Sequence, residues 1–288
     1  MRRSYISLPI IVVLSTIFLL YYLMMFFVID EWLGLKTSQG LFNAVALTVF
    51  VCMSLSTYAM AIVRDPGHVP PSFMPDVEDP DSPLHEIKRK RVSYQGGDLR
   101  YCQKCSHYKP PRAHHCRICR RCVLRMDHHC VWINNCVGHA NYKIFLVFVL
   151  YGVIACIHCT ILLVGSVLNN VHTDPSGGSY KFVYIISGVL LFPLTAALTV
   201  LLGWHVYLLL SNKTTIEYHE GVRAMWLAEK VGNSYRHPYD LGAYENLVSV
   251  LGTNVLTWLC PTSSHTGSGL RFRTSFDSTH SSSPRGHV

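Results

Sequence analysis

Charge is scarce in this chain, and where it is missing is informative. Only 15% of the 288 residues are Asp, Glu, Lys or Arg, half are apolar, and the mean hydropathy is +0.25, which excludes an ordinary soluble domain. Four stretches hold almost no charge at all: Leu8 to Ile29, Leu41 to Val63, Ile144 to Leu168 and Val183 to Leu210. Each reaches the roughly 20 residues that cross about 30 Å of hydrocarbon, and Pro193 is placed to kink the last. No small-residue cleavage site follows the first, whose apolar run outlasts a signal core of about 7 to 15 residues, so it reads as a retained span. No internal repeat is evident.

Basic residues are also missing from particular loops. Residues 30–40 and 169–182 carry one each (Lys36, Lys181), whereas 64–143 carry fourteen and the termini the remaining nine. The positive-inside rule then puts both termini and the 64–143 segment in the cytosol. A net charge of +8, with aromatics near Arg117, Arg120, Arg121 and Arg125, raises nucleic acid as a partner. Anionic headgroups of the cytosolic leaflet account for these charges without it, so the lipid bilayer is the expected partner and no nucleic acid is.

What is plentiful is cysteine and histidine in one short run. Residues 102–136 hold Cys102, Cys105, Cys116, Cys119, Cys122, Cys130 and Cys136 with His107, His114, His115, His128 and His129. A reducing compartment favours metal sites over disulfides for them. Structural zinc takes four thiolate or imidazole ligands, and the hooks Cys102/Cys105 and Cys116/Cys119 each clamp a metal from one turn. Two Cys3His sites would use six of the seven cysteines and leave one thiol free. Spacing does not say which. Cys130 follows Asp127-His128-His129, and a nucleophile needs an imidazole to take its proton and a carboxylate to orient that imidazole. The bland alternative is that Cys130 is one more ligand. Cys52, Cys156 and Cys159 fall in spans, where they read as small packing residues.

The remaining segments divide as follows. Residues 1–67 hold the first two transmembrane helices, 68–99 a linker that includes the acidic stretch Pro70 to Pro83 and the basic cluster Lys88 to Arg91, and 100–143 the cysteine-rich module. Residues 144–210 hold the last two helices, 211–260 a C-terminal region, and 261–288 a Ser/Thr/His/Gly-rich tail predicted to be disordered. Asp65-Pro66-Gly67 is a turn signature. Thr214-Thr215-Ile216-Glu217 matches a helix capping box. Leu241, Tyr244, Leu247, Val248, Leu251 and Val255 lie near helical spacing and predict an amphipathic helix within 239–260. The fold expected is an α-helical integral membrane protein of four transmembrane helices, with a cytosolic two-zinc module of loops and short hairpins between helices 2 and 3.

A thiol at the cytosolic leaflet beside four spans suits long acyl chains. Burying a sixteen-carbon tail releases on the order of 11 kcal/mol at about 0.8 kcal/mol per methylene. Acyl-CoA is the soluble activated form, and its phosphates would be drawn to the arginines noted above. Cys130 would take the acyl group and pass it to a substrate cysteine, with His128 as base and acid in turn. At reference values the first proton transfer is uphill by about 2.7 kcal/mol, a gap that Asp127 narrows by raising the basicity of His128.

At these residues the chain resembles the Asp-His-His-Cys protein S-acyltransferases, or palmitoyltransferases, and most of all their plant members. The resemblance runs through Cys102-x2-Cys105, Lys109-Pro110-Pro111-Arg112, His115-Cys116-x2-Cys119-x2-Cys122, Asp127-His128-His129-Cys130, Trp132, Asn135-Cys136, Gly138, Asn141 and Phe145. Asp65-Pro66-Gly67 and Thr214-Thr215-x-Glu217 match outside it. It implies a palmitoyl transfer from palmitoyl-CoA to cytosolic cysteines of membrane-associated proteins, in the Golgi, the ER or the plasma membrane. It implies one structural zinc on Cys102, Cys105, His115 and Cys122 and a second on Cys116, Cys119, His129 and Cys136. Thr215 would support Asp127, Trp132 would lie near the acyl carbonyl, and Asn246 would be the asparagine of the family's C-terminal motif. The rival classes are a membrane-anchored zinc adaptor without catalysis, a multispan RING-type ligase, whose ligands interleave over a longer loop, and a transporter, which would show ionisable residues inside its spans.

Overall fold

The computed structural model describes residues 7–75, 93–94, 97–98, 100–173, 181–232, 234–262 and 267–276. Four long helices carry the apolar stretches: α1 (Leu8–Leu33), α2 (Ser38–Val63), α3 (Tyr142–Thr173) and α4 (Lys181–Leu210). Each extends a few residues beyond its predicted span, because the helix outlasts the apolar run at one or both ends. Their length and composition make this a multi-pass membrane protein. A π-turn at Met24–Ile29 interrupts α1, which ends where Gly34 adopts φ 74°. Pro193 lies inside α4.

The chain separates into two compact units, the first formed by Met1–Val63, Val131–Asn134 and Ile144–His205. Met24, Val28, Ile29, Leu47, Cys159, Leu163 and Leu191 build its core, with Trp32 packed against the bare edge that Gly165 provides. Cys156 and Cys159 are buried here as expected of packing residues, but Cys52 is exposed on the outer surface of α2. Tyr58 is buried, stacks on Phe148, and donates to the carbonyl of Trp132 at 2.7 Å.

The second unit comprises Arg64–Cys130, Asn135–Lys143 and Val206–Val288. Among the described residues its strands are short and pair as hairpins, β1 (Ser93–Tyr94) with β2 (Gly97–Asp98), β3 (Arg100–Cys102) with β4 (His107–Lys109), β5 (His114–Cys116) with β6 (Arg121–Val123), and β7 (His128–Cys130) with β8 (Asn135–Val137), with a single bridge from His68 to Val123 beside them. Two-stranded hairpins are marginal in isolation. Here the Asp65-Pro66-Gly67 turn ties them together: Gly67 takes φ 97°, its carbonyl accepts from Leu124 N at 2.9 Å, and the Pro66 carbonyl accepts from Ala140 N at 3.0 Å. Gly138 lies so close that a β-carbon would stand 2.6 Å from Val123 and 2.8 Å from the Pro66 carbonyl.

Helix α5 (Thr215–Lys230) opens on the predicted capping box, with Thr214 accepting from Glu217 N and the Glu217 carboxylate accepting from Thr214 N. Helix α6 (Ala243–Leu251) is shorter than the 239–260 pattern predicted. Glycines bound it on both sides, Gly242 at φ 101° and Gly252 at φ 93°, and the chain turns into a 3-10 segment at Val255–Thr257. The Lys143 ammonium caps its last turn through the Leu251 carbonyl at 3.0 Å.

The tail departs from expectation too. Residues 267–276 are not a loose end: His139 Nε2 donates to the Gly267 carbonyl at 3.1 Å, Ser275 N donates to the Pro238 carbonyl at 2.8 Å, and Phe272 covers the Arg112 guanidinium at 4.9 Å. One aromatic and one arginine contact outweigh a composition that reads as unstructured. The predicted linker between 76 and 92, the basic cluster within it and the tail beyond 276 lie outside the described residues.

Candidate active site and metal centres

Hairpin register explains how the cysteines and histidines gather. In β5–β6, His115 faces Cys122, and in β7–β8, His129 faces Cys136. Each facing pair meets the turn of the hairpin before it, so Cys102, Cys105, His115 and Cys122 form one cluster and Cys116, Cys119, His129 and Cys136 another. Sulfur-to-Nδ1 distances are 3.2 to 3.9 Å around His115 and 3.4 to 3.7 Å around His129, and Cys119 and Cys136 are 3.5 Å apart. A zinc tetrahedron with Zn–S about 2.3 Å and Zn–N about 2.0 Å has edges of about 3.5 to 3.8 Å. Both clusters fit a zinc ion of Cys3His type.

The hairpins β3–β4, β5–β6 and β7–β8 are one motif repeated at an interval of 14 residues. Cys102, Cys116 and Cys130 are equivalent, as are Cys105, Cys119 and Ile133, and so are the turn residues Ser106, Arg120 and Asn134, which take φ 56°, 53° and 45°. Tyr101, His115 and His129 face Tyr108, Cys122 and Cys136. The first hairpin lacks a facing ligand pair, and the third lacks the second hook cysteine and a further hairpin to meet it. Cys130 is therefore a hook thiol that belongs to neither cluster. This corrects the expectation of no internal repeat: Cys102, Cys116 and Cys130 recur every 14 residues in the sequence, but the other aligned positions differ in residue type, and strand register is what makes the copies equivalent.

Strand alternation then separates two tasks on β7. His128 and Cys130 point to one face and His129 to the other, towards the cluster it shares with Cys136. Asp127 is wholly buried and accepts three hydrogen bonds: His128 Nδ1 donates to Oδ2 at 2.7 Å, Thr215 Oγ1 to Oδ2 at 2.9 Å, and Thr215 N to Oδ1 at 3.0 Å. That backbone donor is in the first turn of α5, where the helix dipole favours an anion. Burial pushes the His128 imidazole down, but hydrogen bonds to Asp127 and Cys130 and the Asp127 charge overcome it and lift the group to about 9. The shift runs in the direction that narrows the uphill transfer of a proton from a cysteine thiol.

The structure thus joins Asp127, His128, Cys130 and Thr215. Trp132 lies in the first unit, its side chain 54% exposed and its carbonyl held by Tyr58. Asn246 is fully buried: its amide donates to the Leu210 carbonyl and to Asp240 at 2.7 Å each, and accepts from Leu241 N at 3.0 Å. It fastens the end of α4 to the loop before α6.

Sequence reasoning missed the ion pair beneath the site. The Arg112 guanidinium meets Glu217 through two bonds of 2.7 and 2.8 Å, binds Asn212 Oδ1 and its carbonyl at 3.1 and 2.8 Å, and is sandwiched by Tyr239 and Phe272. Burial works against the Glu217 charge, but Arg112 holds its carboxyl down at about 2. The pair fixes the first turn of α5 and, with it, Thr215. Opposite charges in two separate motifs were the only available signal.

Four membrane helices, two metal-ready clusters and a thiol–imidazole–carboxylate line define a membrane-embedded acyltransferase class. The comparisons narrow it. A family profile described as DHHC palmitoyltransferase matches residues 95–222. The chain is 62% identical to "Probable protein S-acyltransferase 16" of Arabidopsis thaliana over 98% of its own length and 97% of the relative's. It is 44% identical to "Probable protein S-acyltransferase 15" of the same plant over 90% and 98%, and 36% identical to "Palmitoyltransferase ZDHHC15A" of Danio rerio over 61% and 52%. The chain belongs to the DHHC palmitoyltransferase family. A non-catalytic zinc adaptor is not favoured.

Proposed function

We propose that the protein moves a long-chain acyl group, palmitoyl in the first instance, from acyl-CoA to cysteines of membrane-associated proteins through a thioester on Cys130. The observation that carries this reading is the line Thr215–Asp127–His128–Cys130 beside eight cysteine and histidine side chains already sorted into two ligand sets. Cys130 attacks the acyl-CoA carbonyl; its Sγ–carbon bond forms, the bond to the CoA sulfur breaks, and His128 returns the proton to CoA as it leaves. In the second exchange His128 takes the proton of a substrate thiol, that sulfur attacks the acyl carbon, and Cys130 recovers its proton. One thioester replaces another, so no ATP is consumed. Asp127 keeps the His128 ring oriented throughout and stabilises its charged form.

Cys102, Cys105, His115 and Cys122 hold one zinc and Cys116, Cys119, His129 and Cys136 the other in this reading. The metals supply structure, fixing the strand that carries Cys130. Arg117, Arg120, Arg121 and Arg125 attract the CoA phosphates, Trp132 meets the acyl carbonyl, and Asn246 supports the C-terminal region. The distribution of Lys and Arg supports cytosolic termini and a cytosolic catalytic module at an endomembrane (Golgi or ER) or plasma membrane. Incubating the purified protein and its Cys130→Ser variant with a clickable long-chain acyl-CoA tests the reading. Label on the wild type alone, released by neutral hydroxylamine, with both metals retained in the variant, is the expected outcome. Equal labelling of the two overturns it.

A further inference from the structure

A cavity of about 240 Å³ lies within the second unit, and its lining is strongly basic: Arg112, Arg125, His139, Arg271 and Arg273, against the carboxylate of Glu245. Arg112 is neutralised by Glu217. Arg125 is not. Only 4% exposed, its guanidinium donates to Asn212 Oδ1 at 3.2 Å and faces the Tyr142 ring at 5.1 Å, and among the described residues no carboxylate forms an ion pair with it. Burial and the neighbouring Arg112 charge pull Arg125 down to about 10, against the attraction of Tyr142, Glu217 and Asp127. At the mouth, Arg271 and Arg273 are exposed, and Arg273 reaches Glu245 only at 3.7 Å between two solvated side chains, a contact of little worth.

We propose that this cavity binds a phosphate monoester, with Arg125 as the buried anchor and Arg271 and Arg273 closing over it from residues 267–276. The planar fork of a guanidinium matches phosphate oxygens two at a time, and three such groups line one wall system. The space is ample for a phosphate with part of its ester group. Two sources share that chemistry: the inositol phosphate headgroup of an anionic lipid and the 3′-phosphate of CoA. The site also has a structural consequence. Asn212 Oδ1 accepts from Arg112 and Arg125 together, and Gly267 and Phe272 belong to the lining, so an anion here clasps the 267–276 segment onto the part of the unit that carries the Arg112–Glu217 pair.

The test uses the full-length protein in phosphatidylcholine nanodiscs, followed by thermal unfolding. The probes are inositol 1,4,5-trisphosphate, CoA without an acyl chain, sulfate at matched ionic strength, and nanodiscs doped with a phosphoinositide. The expected result is a saturable rise in Tm with a phosphate monoester and an apparent affinity weakened at least tenfold in Arg271→Gln/Arg273→Gln, two exposed positions whose change leaves zinc content intact. Arg125→Gln, checked for zinc content in the same way, removes the response. A response to the inositol phosphate and the doped nanodiscs assigns the lipid source; a response to CoA alone assigns the acyl donor. No saturable shift with either, an equal shift with sulfate, or full affinity in the double variant overturns the site. Acyl loading of Cys130, measured on the same samples without these probes, reports separately on the transfer reaction.

Discussion

Glu217→Gln removes one charge and almost nothing else, which makes it the sharpest probe of the buried pair. The amide oxygen can still accept from Thr214 N, so the cap survives, while Arg112 is left as a buried cation between Tyr239 and Phe272. Two routes give its magnitude. Breaking a buried pair by removing one partner costs about 3–5 kcal/mol. Independently, a carboxyl held at about 2 instead of its ordinary 4.5 is stabilised in its charged form by about 3 kcal/mol, at roughly 1.4 kcal/mol per pH unit. At about 2–4 °C per kcal/mol for a domain of 150–250 residues, a loss near 3 kcal/mol lowers Tm by roughly 6–12 °C at pH 7. The sign with pH follows from linkage: a depressed carboxyl contributes its full stability above its unfolded value of 4.5 and loses it as pH falls from there towards 2. The gap between wild type and variant is therefore constant from neutral pH down to about 5 and closes below. Thermal unfolding with a zinc-release dye measures it. A variant melting within about 1 °C of wild type at pH 7 refutes the claim that this pair anchors α5.

Three further outcomes follow from the same geometry. His128→Gln loses the group that moves the proton, and acyl loading of Cys130 in single-turnover labelling should fall by about 10²- to 10⁴-fold with both metals retained. Thr215→Val removes the hydroxyl bond to Asp127 but keeps the backbone one; losing a hydrogen bond to a charged group is worth about 1.5–3 kcal/mol, so loading should slow by roughly tenfold or more without a matching fall in Tm. Gly138→Ala would drive a methyl into Val123 and the Pro66 carbonyl, and should cost about 1–3 kcal/mol of stability in thermal unfolding.

The parts of this protein that were legible in advance are those whose physics is local. Each apolar run long enough to span became a helix, and the capping box at Thr214 formed because its four residues are contiguous. Counting ligands predicts two Cys3His sites and one thiol left over; that the thiol is Cys130 comes from Asp127-His128-His129 before it and from the family resemblance, not from the count. What stayed hidden depends on distance along the chain or on a single residue. Arg112 and Glu217 are 105 positions apart, and the capping role already explained Glu217. The helix within 239–260 stops early because Gly252 ends it, against an apolar pattern that runs on to Val255. The tail looked unstructured by composition, yet Phe272 seated on a guanidinium, with hydrogen bonds from His139 to Gly267 and from Ser275 to Pro238, anchors residues 267–276.

The 14-residue repeat has a consequence for selectivity among thiols. The module holds seven cysteines within 35 residues, all close to the one that is proposed to carry the acyl chain. Six of them face into the two clusters, and a thiolate that is a metal ligand is a poor acceptor for an acyl group. Coordination would thus act as a chemist's protecting group does, masking every hook cysteine except the one whose partner position is Ile133. On this view the third hairpin needed no specialised nucleophile added to it. Leaving one ligand unmet would turn a scaffold motif into a reactive one, and the integrity of the two clusters would then bear not only on whether the module folds but on which sulfur receives the acyl chain.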